Sequence, residues 1–279
     1  ALSQSESQNS LFNILAAQQL VKIADPKSVP AMIKALYHFD STKPQMRMND
    51  VAAAALVAVG KSALQPLVDT LQGKNEEAHQ IVRNYIQTIR QRDPDFAAKM
   101  NEKALISTEA SYALGKLGYR EAIEPLLQET KADNEDRQYG AAIALVSISR
   151  DEADTEPILD AIKRVYDKVE AIKRPQMLVA VRHLYATEVM PFYLHILKTY
   201  EYELSPIRLF SFIGYAMLAN KAEISKLNVF LEKGPQFKQR MGMNFKGYEM
   251  AMKAAEECDE DIACWVGKLG HKENIVVRK

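Results

Sequence analysis

The sequence predicts an all-α chain folded as an α-solenoid, a stack of antiparallel helix pairs. Three observations lead there. Prolines at Pro30, Pro66, Pro125, Pro157 and Pro191 recur in steps of 36, 59, 32 and 34 residues, each followed by apolar residues at roughly +1, +2 and +5. Between them, apolar residues return at i, i+3, i+4 and i+7, the period of an amphipathic helix. Only 11 Gly and 11 Pro punctuate 279 residues, and the alternating apolar/polar runs of strands are scarce. A repeated helical unit has no closed core of its own and buries its apolar faces against its neighbours.

Leu11–Ala24 is the first amphipathic helix, broken by Asp25-Pro26. Pro30 opens the second, Ala31–Tyr37, because a proline in the first helical turn lacks only an N–H that would have had no partner there. The same pattern recurs with Val51–Val59, a turn at Gly60, and a partner helix entered through Gln65-Pro66. Between Lys74 and Lys103 it is stretched by an inserted helix, Glu76–Arg92, with apolar Ala78, Ile81, Val82, Tyr85, Ile86 and Ile89 and a stop at Asp93-Pro94-Asp95. The insertion accounts for the 59-residue step. Ala110–Leu117, Gly118 and the segment through Pro125 form the clearest unit; Arg137–Ser149 with Pro157, and Pro175–Tyr185 with Pro191, repeat it. A sixth, Pro206–Leu218 with Ala222–Leu231, lacks the internal proline. Residues 11–279 thus read as one array after a polar tail at 1–10, with a truncated repeat helix at 271–279.

Lys plus Arg and Asp plus Glu each number 36, so no single-sign field draws the whole molecule to nucleic acid or an anionic membrane. Apolar residues are 47% of the chain, ample for a packed interior. The longest apolar run, Val51–Gly60, falls short of the ~18 residues needed to cross a bilayer, so no transmembrane segment is expected. The chain opens on Ala1 and a polar stretch, which reads equally as the remnant of a cleaved signal peptide or as an arbitrary boundary.

Ala110-Ser111-Tyr112-Ala113-Leu114-Gly115-Lys116-Leu117-Gly118, and more loosely Ala54–Gly60, resemble the first helix of short bacterial HEAT-like repeats, A-x-x-A-L-x-x-L-G. That resemblance covers most of residues 11–279. It implies a right-handed superhelix of about six to seven repeats, second helices on a concave face, and partner binding as the usual role, an inference from fold alone. HEAT-type di-iron hydroxylases use His-Glu pairs, but His38, His79, His183, His195 and His271 are followed by Phe, Gln, Leu, Ile and Lys, so no metal site carries over. HEAT-like DNA glycosylases need a basic concave surface, whereas the second helices here carry Lys34, Asp69, Glu124, Asp160, Lys163 and Lys198 in mixture, with Trp265 the only tryptophan. No G-x-S-x-G, P-loop or G-x-G-x-x-G is present.

Two features remain. Cys258 and Cys264, the only cysteines, flank an acidic turn containing Asp259, Glu260 and Asp261. Residues six apart across a turn reach the ~4.4–6.8 Å α-carbon separation of a disulfide; the alternative is two buried thiols. A persistent bridge implies an oxidising compartment, periplasmic or secreted, against a cytoplasmic alternative. The acidic turn lacks calcium-loop spacing. Lys233–Tyr248 holds Lys233, Lys238, Arg240 and Lys246 without an acid, interleaved with Phe237, Phe245 and Tyr248, which suits a partner-binding edge or simply the outer helix of another repeat. The expectation is a non-catalytic protein–protein interaction scaffold without cofactor, presenting an extended surface to a protein or peptide in an extracytoplasmic assembly. A HEAT-like enzyme or nucleic-acid-binding protein is the alternative.

Overall fold

The computed structural model describes residues 10–39, 48–148, 152–184, 187–199, 205–233, 239, 243–259 and 261–268. These residues are largely helical and contain no strand, as the periodicity requires. The polar tail up to residue 9 and the repeat helix proposed at 271–279 lie outside them. The chain clusters into two compact units where the sequence suggested one array: residues 1–150 with 160–169, and residues 151–159 with 170–279.

In the first unit the helices are α1 (Ser10–Ile23), α2 (Val29–Leu36), α3 (Met48–Val59), α4 (Leu64–Leu71), α5 (Glu76–Arg92), α6 (Pro94–Ala98), α7 (Glu102–Leu117), α8 (Ile123–Glu129) and α9 (Glu135–Ile148). The first helices of successive pairs pack in chain order, α1 on α3, α3 on α7 and α7 on α9, and each second helix packs on the first helix that follows it. This nearest-neighbour pattern is what a solenoid requires.

Small residues set the spacing. Ala110, Ala113 and Leu114 of α7 are buried with Ala141, Ala144 and Leu145 of α9, and a β-carbon added at Gly115 would stand 3.0 Å from Ala144 Cα. Each α3-like helix ends on a left-handed glycine, Gly60 at φ +78° and Gly118 at φ +74°, which only glycine adopts cheaply. A 3-10 turn follows, Gly60–Ala63 or Arg120–Ala122, and places Pro66 and Pro125 in the first turn of α4 and α8. Proline therefore marks the second helix because its missing N–H falls where no helical bond is due.

Polar ties join these two pairs at separations of 60 to 62 residues. Asn49 donates to Glu109 at 2.8 Å, Tyr112 donates to Asp50 at 2.7 Å, and Lys61 pairs with Glu121 at 2.8 Å. The last is exposed and contributes little. Deeper in, the buried Glu129 carboxylate accepts from Ser107 Oγ at 2.5 Å and from Arg137 Nε and Nη2 at 2.6 and 3.1 Å. One carboxylate thereby fastens α7, α8 and α9, and a pair this enclosed is costly to break from one side.

Two expectations are corrected. The insertion holds two helices: Asp93, read as a stop, caps α6 by accepting from Phe96 N at 3.0 Å, and Pro94 occupies its first position. Pro157 lies inside α10 (Glu152–Lys168), because a first α-turn at residues 152–156 replaces the 3-10 turn of the other pairs. Met48–Leu71 is long and apolar enough to cross a membrane by length and composition, with mean hydropathy 1.6. It is two helices bent apart at Gly60, and Ala52, Ala53, Ala55, Leu56, Leu67 and Leu71 are buried within the stack.

Helix α10 is shared, residues 152–159 grouping with the second unit and 160–168 with the first. The second unit continues with α11 (Arg174–Val181), α12 (Met190–Thr199), α13 (Pro206–Leu218), α14 (Lys221–Lys233), α15 (Met243–Cys258) and α16 (Ile262–Lys268). Helix α13 packs on α11 and α12, α15 on α13 and α14, and α16 on α15. Its core is aromatic: Tyr193, Phe212 and Tyr215 are fully buried, and Phe212 meets Tyr248 edge-on at 5.7 Å.

Candidate functional site

Helix α5 carries Ala78, Val82, Ile86 and Ile89 on its buried stripe, which packs on α2, α6 and α7. The opposite face presents Arg83, Gln87, Arg90 and Gln91 to solvent. Asn75, Asn101 and Asn134 stand at the starts of α5, α7 and α9, each accepting from a backbone N–H three residues on at 3.2, 2.9 and 3.2 Å. Asparagine suits these positions because its side chain satisfies a first-turn donor that the helix leaves open.

Two clefts open along this line and share Met100 and Glu102. One, of about 590 Å³, lies between the outer face of α5 and the start of α7. The other, of about 480 Å³, runs from the start of α7 to Asp133, Asn134 and Arg137. Both fall in the usual size range of ligand clefts, roughly 300–1,000 Å³.

Each acid here stands beside a basic group. Glu102 Oε1 lies 2.5 Å from His79 Nδ1 and accepts from Arg83 Nη1 at 3.2 Å. His79 Nε2 faces Gly73 O at 3.2 Å. Arg83 also pairs with Glu76, whose hydrogen bond from the guanidinium holds that carboxyl below its ordinary range. Asp133 sits 3.3 Å from Arg137, whose guanidinium is held further up its already high range chiefly by its bond to Glu129. Arg90 and Lys103 make no ion pair or hydrogen bond to a side chain among the described residues. The trough thus offers two available cations, the carboxamides of Gln87, Gln91 and Asn101, and an Ile86–Met100 floor: a repertoire for recognition.

Sequence reasoning missed this trough. It used the insertion only to account for the 59-residue step and placed candidate partner contacts in Lys233–Tyr248. The available signal was the polar face of α5 together with the repeated Asn cap, both readable in the chain.

The expected partner-binding edge is only partly described. Phe237, Lys238 and Arg240 lie outside the described residues, as do the side chains of Lys233 and Phe245. Lys246 is exposed on α15. Tyr248 corrects the reading: it is buried against Phe212, a core residue and no part of a binding edge. His183 and His195 are exposed, on the 3-10 turn Arg182–Leu184 and on α12. Among the described residues no group of three or more His, Cys, Asp or Glu side chains gathers to hold a metal ion.

Cys258 and Cys264 stand at disulfide distance, α-carbons 5.2 Å apart, joining the end of α15 to α16. Asp261 caps α16 by accepting from Ala263 N and Cys264 N at 2.8 and 3.2 Å, so this acid of the turn has a structural partner. Trp265 packs on Ala251 and Ala254 and donates to Asp259 O at 2.8 Å, and Lys268 pairs with Glu257 at 2.7 Å. Helix α16 has no fully buried residue and exposes Ile262 and Val266. A helix of 7 residues is not stable on its own, and a bridge at this distance would tether it to α15. Reduction with dithiothreitol is expected to free α16, raising and red-shifting the emission of Trp265, the only tryptophan, with loss of helical signal limited to about this one helix. An unchanged emission spectrum on full reduction would show that the bridge does not hold α16 in place.

Residues 108–129 match the family model described as PBS lyase HEAT-like repeat. The match spans the second half of α7, the Gly118 turn and α8, and it makes this hairpin a HEAT-like repeat. No curated protein matches the chain.

Proposed function

We propose that this stack of HEAT-like repeats is a non-catalytic scaffold that presents a preformed helical surface to a protein or peptide partner. The observation that carries the reading is the open trough beside α5, where amides and the cations Arg90 and Lys103 face outward. A surface already ordered by nearest-neighbour packing loses little conformational entropy on binding. Cofactor and nucleic acid have no part in this reading.

The assembly is extracytoplasmic in the same proposal. Support comes from the disulfide spacing of Cys258 and Cys264, since such bridges persist where the surroundings are oxidising.

The immobilised chain, exposed to extract from its native source, is expected to retain a polypeptide in fixed stoichiometry, unaffected by nuclease treatment. Retention that vanishes with nuclease, or retention of small molecules alone, would overturn the scaffold reading. Alkylation of the native protein before reduction tests the compartment: labelling of both cysteines at that stage would remove it.

A further inference from the structure

We infer that the trough formed by α5 and the starts of α7 and α9 takes an extended, acidic polypeptide segment. The inference deepens the scaffold reading and rests on it. Its ground is the charge balance of the lining. The residues lining the two clefts carry four cations, Arg83, Arg90, Lys103 and Arg137, against two acids, Glu102 and Asp133. Arg90 and Lys103, one on each side of the shared Met100–Glu102 step, are left to attract an anion.

The neutral lining decides which anion. Gln87, Gln91 and Asn101 carry both donors and acceptors, which match the alternating C=O and N–H groups of a peptide backbone. Among residues lining the two clefts there is no aromatic side chain on which a base would stack, and stacking is what lets single strands bind. Met100 and Ile86 provide an apolar floor that accepts intervening side chains. Carboxylates at intervals along a chain, separated by apolar residues, fit all three features.

The test is fluorescence anisotropy with a labelled decapeptide alternating Glu and Leu, its Lys-for-Glu counterpart, and a ten-nucleotide oligothymidylate as competitor. The acidic peptide is expected to bind, to weaken as salt rises, and to lose about tenfold or more in affinity to the Arg90→Glu/Lys103→Glu double variant. Both positions are exposed, and circular dichroism verifies that the variant is folded; Arg90→Gln/Lys103→Gln gives a neutral version with an intermediate loss expected. Equal binding of the Lys peptide, or unchanged affinity in both double variants, overturns the inference and leaves the scaffold reading standing. Binding of neither peptide also overturns it, and the scaffold reading is then judged by retention of the native partner. Displacement by the oligonucleotide at lower concentration than unlabelled acidic peptide would assign the trough to nucleic acid instead.

Discussion

Gly214→Ala is expected to destabilise the second unit by about 2–3 kcal/mol, although alanine is the better helix former. A β-carbon at this position of α13 would stand 2.2 Å from Tyr193 Cζ and 2.6 Å from its hydroxyl oxygen. The ring has no room to yield, because Tyr193 is fully buried and its hydroxyl is anchored to Leu178 O at 2.9 Å. Overpacking of a filled core costs about 1–3 kcal/mol and sometimes more, against roughly 1 kcal/mol gained from helix propensity. At this separation the clash wins. Gly140→Ala in α9 supplies the control: its nearest neighbour is Thr108 Cα at 3.4 Å, ordinary contact, so the same change there is expected to be neutral or to stabilise by about 0.5–1 kcal/mol. Denaturant melts, with hydrogen exchange of α12 and α13 amides locating the loss, give the comparison. Tyr193→Leu in the Gly214→Ala background should recover part of it, with a coupling of about 1 kcal/mol or more. A neutral Gly214→Ala would mean that α12 and α13 are not packed this closely.

That contact was invisible in the sequence, and the reason is general for this chain. The hairpin grammar was legible because it is local: Pro30, Pro66, Pro125 and Pro191 each obey the first-turn rule, and Gly60 and Gly118 end helices where a left-handed residue is needed. Pro157 misled because a proline one turn later is tolerated when the preceding residues continue the helix. Asp93-Pro94-Asp95 reads as a breaker, and the same Asp-Pro pair is also a capping start. Tyr248 was grouped with its basic neighbours; its burial depends on Phe212, which lies on another helix. The Cys258–Cys264 pair was legible because six residues across a turn fix the geometry. The trough was not, because Arg90, Lys103 and Asn134 come from three elements whose adjacency only the fold supplies.

Raising the pH above about 10 should unfold the protein steeply, the second unit more steeply than the first. Burial pushes the phenols of Tyr37, Tyr193 and Tyr215 far above the ordinary tyrosine range, helped by Glu109 at Tyr37 and by Glu223 at Tyr215. Each is at most 1% exposed, and each hydroxyl donates to an oxygen, of Ile106, Leu178 and Glu223 respectively. A phenolate in any of these places would face an acceptor with no proton between them. In the unfolded chain the same groups ionise near pH 10. Above that pH the unfolded state binds fewer protons than the native one, so stability falls by about 1.4 kcal/mol per pH unit for each such tyrosine. Of these three, Tyr37 lies in the first unit, while Tyr193 and Tyr215 together give the second about 2.7 kcal/mol per pH unit. Below pH 10 these groups contribute no pH dependence, and their stabilisation is fully present. Phenolate absorbance recorded alongside helical circular dichroism separates the classes: exposed members of the 12 tyrosines ionise while helicity is intact, and Tyr37, Tyr193 and Tyr215 only as it is lost. Tyr193→Phe is expected to cost about 1 kcal/mol at neutral pH, through the unpaired Leu178 carbonyl, yet to flatten the alkaline slope of the second unit by half. Complete tyrosine ionisation before any loss of helix would show that these phenols are open to water, and with that the aromatic core of the second unit would have to be packed differently.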